Sequence, residues 1–181
     1  LENGECYENL RVLCKDIGCR LSGSAQADQA IEWGKNLLLA YGFENVYLQE
    51  VEVPHWTRGD FEYGYFVTSK GEKRPSGICA LGGSVGTQGQ ITAEVIEVKH
   101  LEELDSLGRE NVEGKIVFFN RAMDPLLINT GAAYGGAYDQ RGKGASAAAR
   151  YGAVGALVRS LTHALDTFPH TGGMHYDDSV F

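Results

Sequence analysis

The stretch from Val112 to Arg159 constrains the fold more than any other part of the chain. Gly114-Lys-Ile-Val-Phe-Phe119 reads as a short strand. A long glycine-rich loop follows, then an alanine-rich helix, then the apolar strand Ala153-Val-Gly-Ala-Leu-Val158. Alanines at 145, 147, 148 and 149 let that helix lie close on a sheet. The glycines invite a phosphate-cradle reading, and spacing removes it. A P-loop needs GxxxxGK followed by Ser or Thr, entered directly from a strand. Here Gly136 and Gly142 are one residue too far apart, and Gly144 stands where the hydroxyl is required. The loop from the strand end to Asp139 is also too long. It is expected to be a mobile surface loop whose glycines permit tight turns.

Upstream, Leu10, Leu13, Cys14 and Ile17 form a helical stripe from Tyr7 to Ile17, stopped by Gly18. Ser24 is placed to N-cap a second helix from about Ala25 to Tyr41, with Gly42 as its C′ residue. Residues 45–53 alternate through Val46, Leu48, Val51 and Val53 until Pro54, and Phe61, Tyr63, Tyr65 and Val67 alternate again. The two runs are expected to pair as a hairpin. Residues 69–77 read as a loop and Gly82 to Gly89 as a linker. A strand over 91–98 and a short helix through Leu101, Leu104 and Leu107 precede the opening run. A polar tail covers 162–178, and Val180 and Phe181 end the chain on apolar residues, which suggests continuation in the natural protein.

The formal charge is −8 and the basic residues are scattered, so nucleic acid is not an expected partner, because its phosphates require clustered cations. No apolar run approaches the ~20 residues of a membrane helix. No cleavable signal starts the chain, which fits a mature form or a piece of a longer protein. The cysteines, Cys6, Cys14, Cys19 and Cys79, form no CxxC pair. Cys14 is expected to be a buried thiol; a Cys14–Cys19 disulfide is left open.

Three motifs raise chemistry. Gly82-Gly-Ser84-Val-Gly86 matches GxSxG, yet a nucleophile elbow stands between a strand and a helix, and residues 87–90 lead into another strand. A serine hydrolase using Ser84, with Asp124 or Asp166 and a later histidine, is kept as an alternative. His163, His170, His175, Asp177 and Asp178 gather near the C-terminus without HExxH or H-x-E-x-x-H spacing; a substrate-facing loop is the better reading than a metal site. Glu102-Glu103 reads as solvated charge, Arg20 and Arg58 as structural cations, Trp33 and Trp56 as packing. No convincing active site assembles from these residues.

The order Val112-x-Gly-Lys-Ile-Val117, loop, alanine helix, Gly152-Ala-Val-Gly-Ala-Leu-Val158 resembles the protease-associated domain. Arg20-Leu-Ser-Gly-Ser24, Tyr41-Gly-Phe-Glu-Asn-Val46, Val53-Pro-His-Trp-Thr-Arg-Gly59, Leu81-Gly-Gly-Ser-Val-Gly-Thr87 and Pro169-His-Thr-Gly172 are similar to the N-terminal part of zinc peptidases of the carboxypeptidase Q type. The resemblance implies a mixed α+β or α/β chain. Residues 1–86 would supply helices and a hairpin to a split catalytic domain, and 87–181 a protease-associated insert, truncated at its end, with a β-sandwich or barrel and flanking helices. It further implies two zinc ions in the parent, held by residues outside this chain; no catalytic or metal-binding residue is assigned here. A stand-alone interaction module is the other alternative. Expected partners are the rest of the catalytic domain, a peptide substrate and a second copy, in a secreted or periplasmic setting. The lid's substrate-facing candidates are Tyr134, Tyr138, Asp139, Arg141 and His170. Arg141 is placed to fork onto a peptide carboxylate, or else to salt a surface helix start.

Overall fold

The computed structural model describes residues 4–164 and 166–180; the apolar end read at Phe181 lies outside them. The chain divides into two units, Leu1–Gly59 and Asp60–Phe181.

In the first unit, α1 (Cys6–Arg11) continues directly into a π-helical turn, Val12–Ile17. Gly18, at φ +84°, ends it. The Arg20 guanidinium donates to the carbonyls of Leu13 and Gly18. It thus adds a second donor to the Leu13 oxygen, which already accepts the Gly18 N–H at 3.1 Å, and sets a cation at the helix's negative pole. α2 (Ala25–Ala40) begins on Ser24, whose Oγ accepts the Ala27 N–H at 3.2 Å. It ends in a Schellman motif: Gly42, at φ +80°, donates to Leu39 O at 3.0 Å, and Phe43 donates to Leu38 O at 3.1 Å. Tyr41 fastens the two helices, donating to Glu5 at 2.7 Å and accepting from Asn9 at 2.8 Å.

No helical residue of this unit is buried. Cys14 is exposed and is not joined to Cys19, which corrects the buried-thiol expectation. The stripe expected to cover Cys14 is too small a surface for two helices to enclose. Residues 45–53 form no strand, because alternation makes a strand only where a ladder partner exists.

The second unit opens with β1 (Gly64–Val67) and β2 (Lys73–Ser76), antiparallel with Val67 opposite Lys73. The hairpin therefore closes forward, through a turn with Gly71 at φ +78°, and not backward onto 45–53. Lys73-Arg74-Pro75 conceals β2 in the sequence. Proline is tolerated there because each strand of a two-stranded sheet is an edge. Next come β3 (Val95–Val98), α3 (Glu103–Leu107), α4 (Arg109–Val112), β4 (Ile116–Phe119), α5 (Thr130–Ala137), α6 (Asp139–Arg150) and β5 (Gly155–Val158). The last three strands form a parallel sheet, ordered β3-β4-β5, with Phe119 opposite both Val98 and Val158. Parallel neighbours need long crossovers, and the two helix pairs supply them. The mixed α+β class is as expected.

Val98, Leu104, Val112, Val117, Phe119 and Ala148 make the core. Gly144 brings α6 onto the sheet: a Cβ there would lie 2.9 Å from the Phe119 ring. Part of the glycine-rich segment read as a mobile loop is helix α5, capped by Asn129 Oδ1 on the Ala132 N–H at 3.1 Å. Ala133 and Ala137 of α5 pack with Met123 and Leu161 in a second small core. Gly82, in the stretch read as linker, is paired with the tail: Gly82 donates to Gly172 O at 2.8 Å and accepts from Met174 N–H at 2.9 Å.

Candidate functional site

Tyr138 is both the C-cap of α5 and the N-cap of α6. The junction stacks Tyr134, Tyr138 and Arg141 one above another. The Arg141 guanidinium carbon lies 5.2 Å from the Tyr134 ring centre and 5.0 Å from that of Tyr138, and its Nη2 donates to the Tyr134 hydroxyl. His170 meets the Tyr134 ring edge-on, with centroids 6.0 Å apart. The tail closes the cluster, because a Cβ on Gly172 would fall 2.6 Å from the Arg141 guanidinium carbon. That tail is held in place by His170 N–H on Ser160 Oγ at 3.0 Å and by Thr171 Oγ1 donating to Ala80 O at 3.0 Å.

Arg141 is 6% exposed, and its Nε and Nη1 have no hydrogen-bond partner among the described residues. Two aromatic faces and one hydroxyl compensate its charge, with no carboxylate in the pairing. Desolvated cation–π contacts of this kind contribute about 2 kcal/mol. The surface-salting reading of Arg141 is thereby corrected: the side chain points inward. Asp139 stands apart from the cluster and pairs with Arg121, at the N-terminal end of α6 where the helix dipole favours an anion. Four of the five candidates are therefore gathered and the fifth is engaged elsewhere.

Gln140 went unread in the sequence. It is fully buried, and its carboxamide is spent on the Arg121 backbone. The signal was the four-residue spacing Gln140–Gly144–Ala148, which lies along the buried face of α6.

The other motifs stay apart. Ser84 lies in a turn closed by its N–H on Leu81 O at 3.0 Å, with no helix after it before β3, so no helix N-terminus builds an oxyanion hole beside it. Among the described residues no three His, Cys, Asp or Glu side chains group to hold a metal. The donor set zinc requires is thus not found among them, and no chemistry is routed through zinc here. Asp177 is held below the usual carboxylate range by the Ser179 N–H and hydroxyl, with Arg150 adding its charge. No helix of the described residues is long and apolar enough to cross a membrane.

No family model matches the chain. Its sequence is 38% identical over 175 residues to carboxypeptidase Q of Xenopus laevis, covering 96% of this chain and 35% of that protein. The Bos taurus carboxypeptidase Q gives the same identity, with 34% of its length covered. Among solved structures, a peptidase M28 precursor from Shewanella amazonensis superposes with a TM-score of 0.83 at 32% identity, over 97% of this chain and 39% of that one. The sequence is thus of the metallopeptidase class. Within that class it is carboxypeptidase Q-like, and it spans about a third of the length of those relatives.

Proposed function

We propose that this stretch is a non-catalytic part of a di-zinc exopeptidase, with residues 87–181 acting as a protease-associated lid over the substrate cleft. On this reading residues 1–86 join the catalytic domain, and the two zinc ions and their ligands belong to the rest of that domain. The parent removes residues from peptide ends or splits dipeptides, in a secreted or periplasmic setting. Metal-activated water is the chemistry such ions supply. The lid contacts substrate through the Tyr134, Tyr138 and His170 corner, with Arg141 buried against the two tyrosine rings.

One observation carries the reading: the likeness to carboxypeptidase Q runs over 96% of the chain but over only 35% of that protein. The test measures amino-acid release from dipeptides, with zinc, by the purified chain and by a fusion of it to the remaining part of the Xenopus relative. The expected result is none from the chain and zinc-dependent hydrolysis from the fusion. Hydrolysis by the chain alone would sink the proposal. Fluorophosphonate labelling that disappears in Ser84→Ala would favour a serine hydrolase instead.

A further inference from the structure

A groove of about 600 Å³ opens along α6 in the second unit. Its lining includes Leu101 and Glu102, just before α3, and Tyr138, just before α6. The residues next to these lining positions are His100 and Asp139, and one side chain joins them. Arg121, from the segment after β4, places Nη1 2.9 Å from His100 Nδ1 and pairs with the Asp139 carboxylate. The Arg121 side chain is 18% exposed, so solvent screens these contacts only in part.

The partners dictate which form of His100 the contact needs. A guanidinium only donates hydrogen bonds and keeps its charge at every accessible pH. Nδ1 must therefore accept, which requires a neutral imidazole with its proton on Nε2. A second ring proton removes the acceptor and sets two cations against each other. Other charges act on the ring as well. Lys99, in the same turn, opposes the added proton. Glu102 and Glu103 favour it, although the Glu103 carboxylate already accepts the N–H of Lys99 at 2.9 Å and of His100 at 2.8 Å. Asp139 lies on the Arg121 side and stays paired there. None of these gives Arg121 Nη1 a replacement acceptor on the His100 side.

Gln140 holds the Arg121 backbone whatever the state of His100. Loss of the imidazole contact thus frees the turn before α3 from the start of α6, while the end of β4 stays in place. We propose that His100, Arg121 and Asp139 form a proton-sensitive clasp on the groove, closed with His100 neutral and released when its ring takes up a proton. The inference does not rest on the exopeptidase reading, and either can fail while the other stands.

The test is NMR of the full 181-residue chain between about pH 8 and about pH 5, the range across which imidazole changes charge. Ring nitrogen shifts at the upper end are expected to show His100 with its proton on Nε2. On acidification the amide shifts of 99–104 and 138–142 are expected to follow the His100 ring with one midpoint. The Glu103 and Arg141 amides bond the carbonyls of His100 and Tyr138. Their hydrogen-exchange protection, corrected for intrinsic rates, is expected to fall about threefold to tenfold, as for one charged hydrogen bond lost at a partly exposed site. His100→Gln keeps a neutral acceptor throughout and should remove this response, while the shifts caused by His170 and His175 persist. His100 is exposed, so the variant keeps the fold, and unchanged shift dispersion verifies it. A neutral His100 with its proton on Nδ1 overturns the proposal. So does a response at 99–104 and 138–142 that His100→Gln leaves intact, or protection that stays constant while the ring titrates.

Discussion

Gln140 closes both ends of its carboxamide on the backbone of one residue, Arg121. Its Oε1 accepts the Arg121 N–H at 3.1 Å and its Nε2 donates to the Arg121 carbonyl at 2.7 Å. Arg121 follows β4 closely, so a helix side chain carries the ladder past the end of the strand. Gln140→Met keeps the volume and leaves both backbone groups bare. It should cost about 2–3 kcal/mol in urea unfolding, the penalty for two buried polar groups losing partners. A loss below about 0.5 kcal/mol would show that the pairing does not hold the strand end to α6.

Gly144 and Gly135 should respond oppositely to alanine. A Cβ on Gly144 meets the Phe119 ring at 2.9 Å, so α6 must lift from the sheet. Gly144→Ala is expected to destabilise by about 1–3 kcal/mol. Gly135 lies in α5, and a methyl group added to it would have nothing within 4 Å. Alanine there should stabilise by up to about 1 kcal/mol. Thermal unfolding of the two variants decides; equal and same-signed shifts would contradict the packing described.

Glu103 ties the turn between β3 and α3, accepting the N–H of Lys99 at 2.9 Å and of His100 at 2.8 Å. These two bonds hold its carboxyl below the ordinary glutamate value. A lowered folded-state value means that the unfolded chain binds the proton more readily. The contribution is therefore present at pH above the unfolded value, about 4.3, and is lost as pH falls through the lower folded one. Glu103→Gln should be less stable than the parent at pH 7, with the gap narrowing below about pH 4. A gap that stays constant to pH 2 would remove the charge from the account.

The first unit shows apolar side chains to solvent: Leu10, Ile31, Leu38 and Leu39 are each between 42% and 58% exposed. Surfaces of this kind favour association. The chain on its own should scatter light as a dimer or larger species and bind a hydrophobic dye, and Ile31→Glu with Leu38→Glu should reduce both. A monomer with both helices protected in hydrogen exchange would argue that this face needs no cover.

Local signals carry far in this chain. Ser24, Gly42 and Gly18 end their helices where capping chemistry puts them, because a cap is decided by residues three or four apart. The apolar runs at 116–119 and 155–158 are strands for the same reason. Pairing is harder to read. The alternation at 45–53 looks stronger than Lys73-Arg74-Pro75, yet β2 takes the ladder, since a hairpin goes to whichever run the turn presents. Helix α5 is hidden because its glycines argue against a helix, and Asn129 capping with packing of Ala133 and Ala137 overrides them.

By itself the sequence determined the helix ends at Gly18, Ser24 and Gly42, the strands at 116–119 and 155–158 and the likeness to carboxypeptidase Q, all properties of neighbours along the chain. Only the tertiary structure decided what Arg141 and Asp139 do, two residues apart on the same helix. The helix turns about 100° per residue. Two positions on, Arg141 is carried inward between Tyr134 and Tyr138, while Asp139 is left facing Arg121.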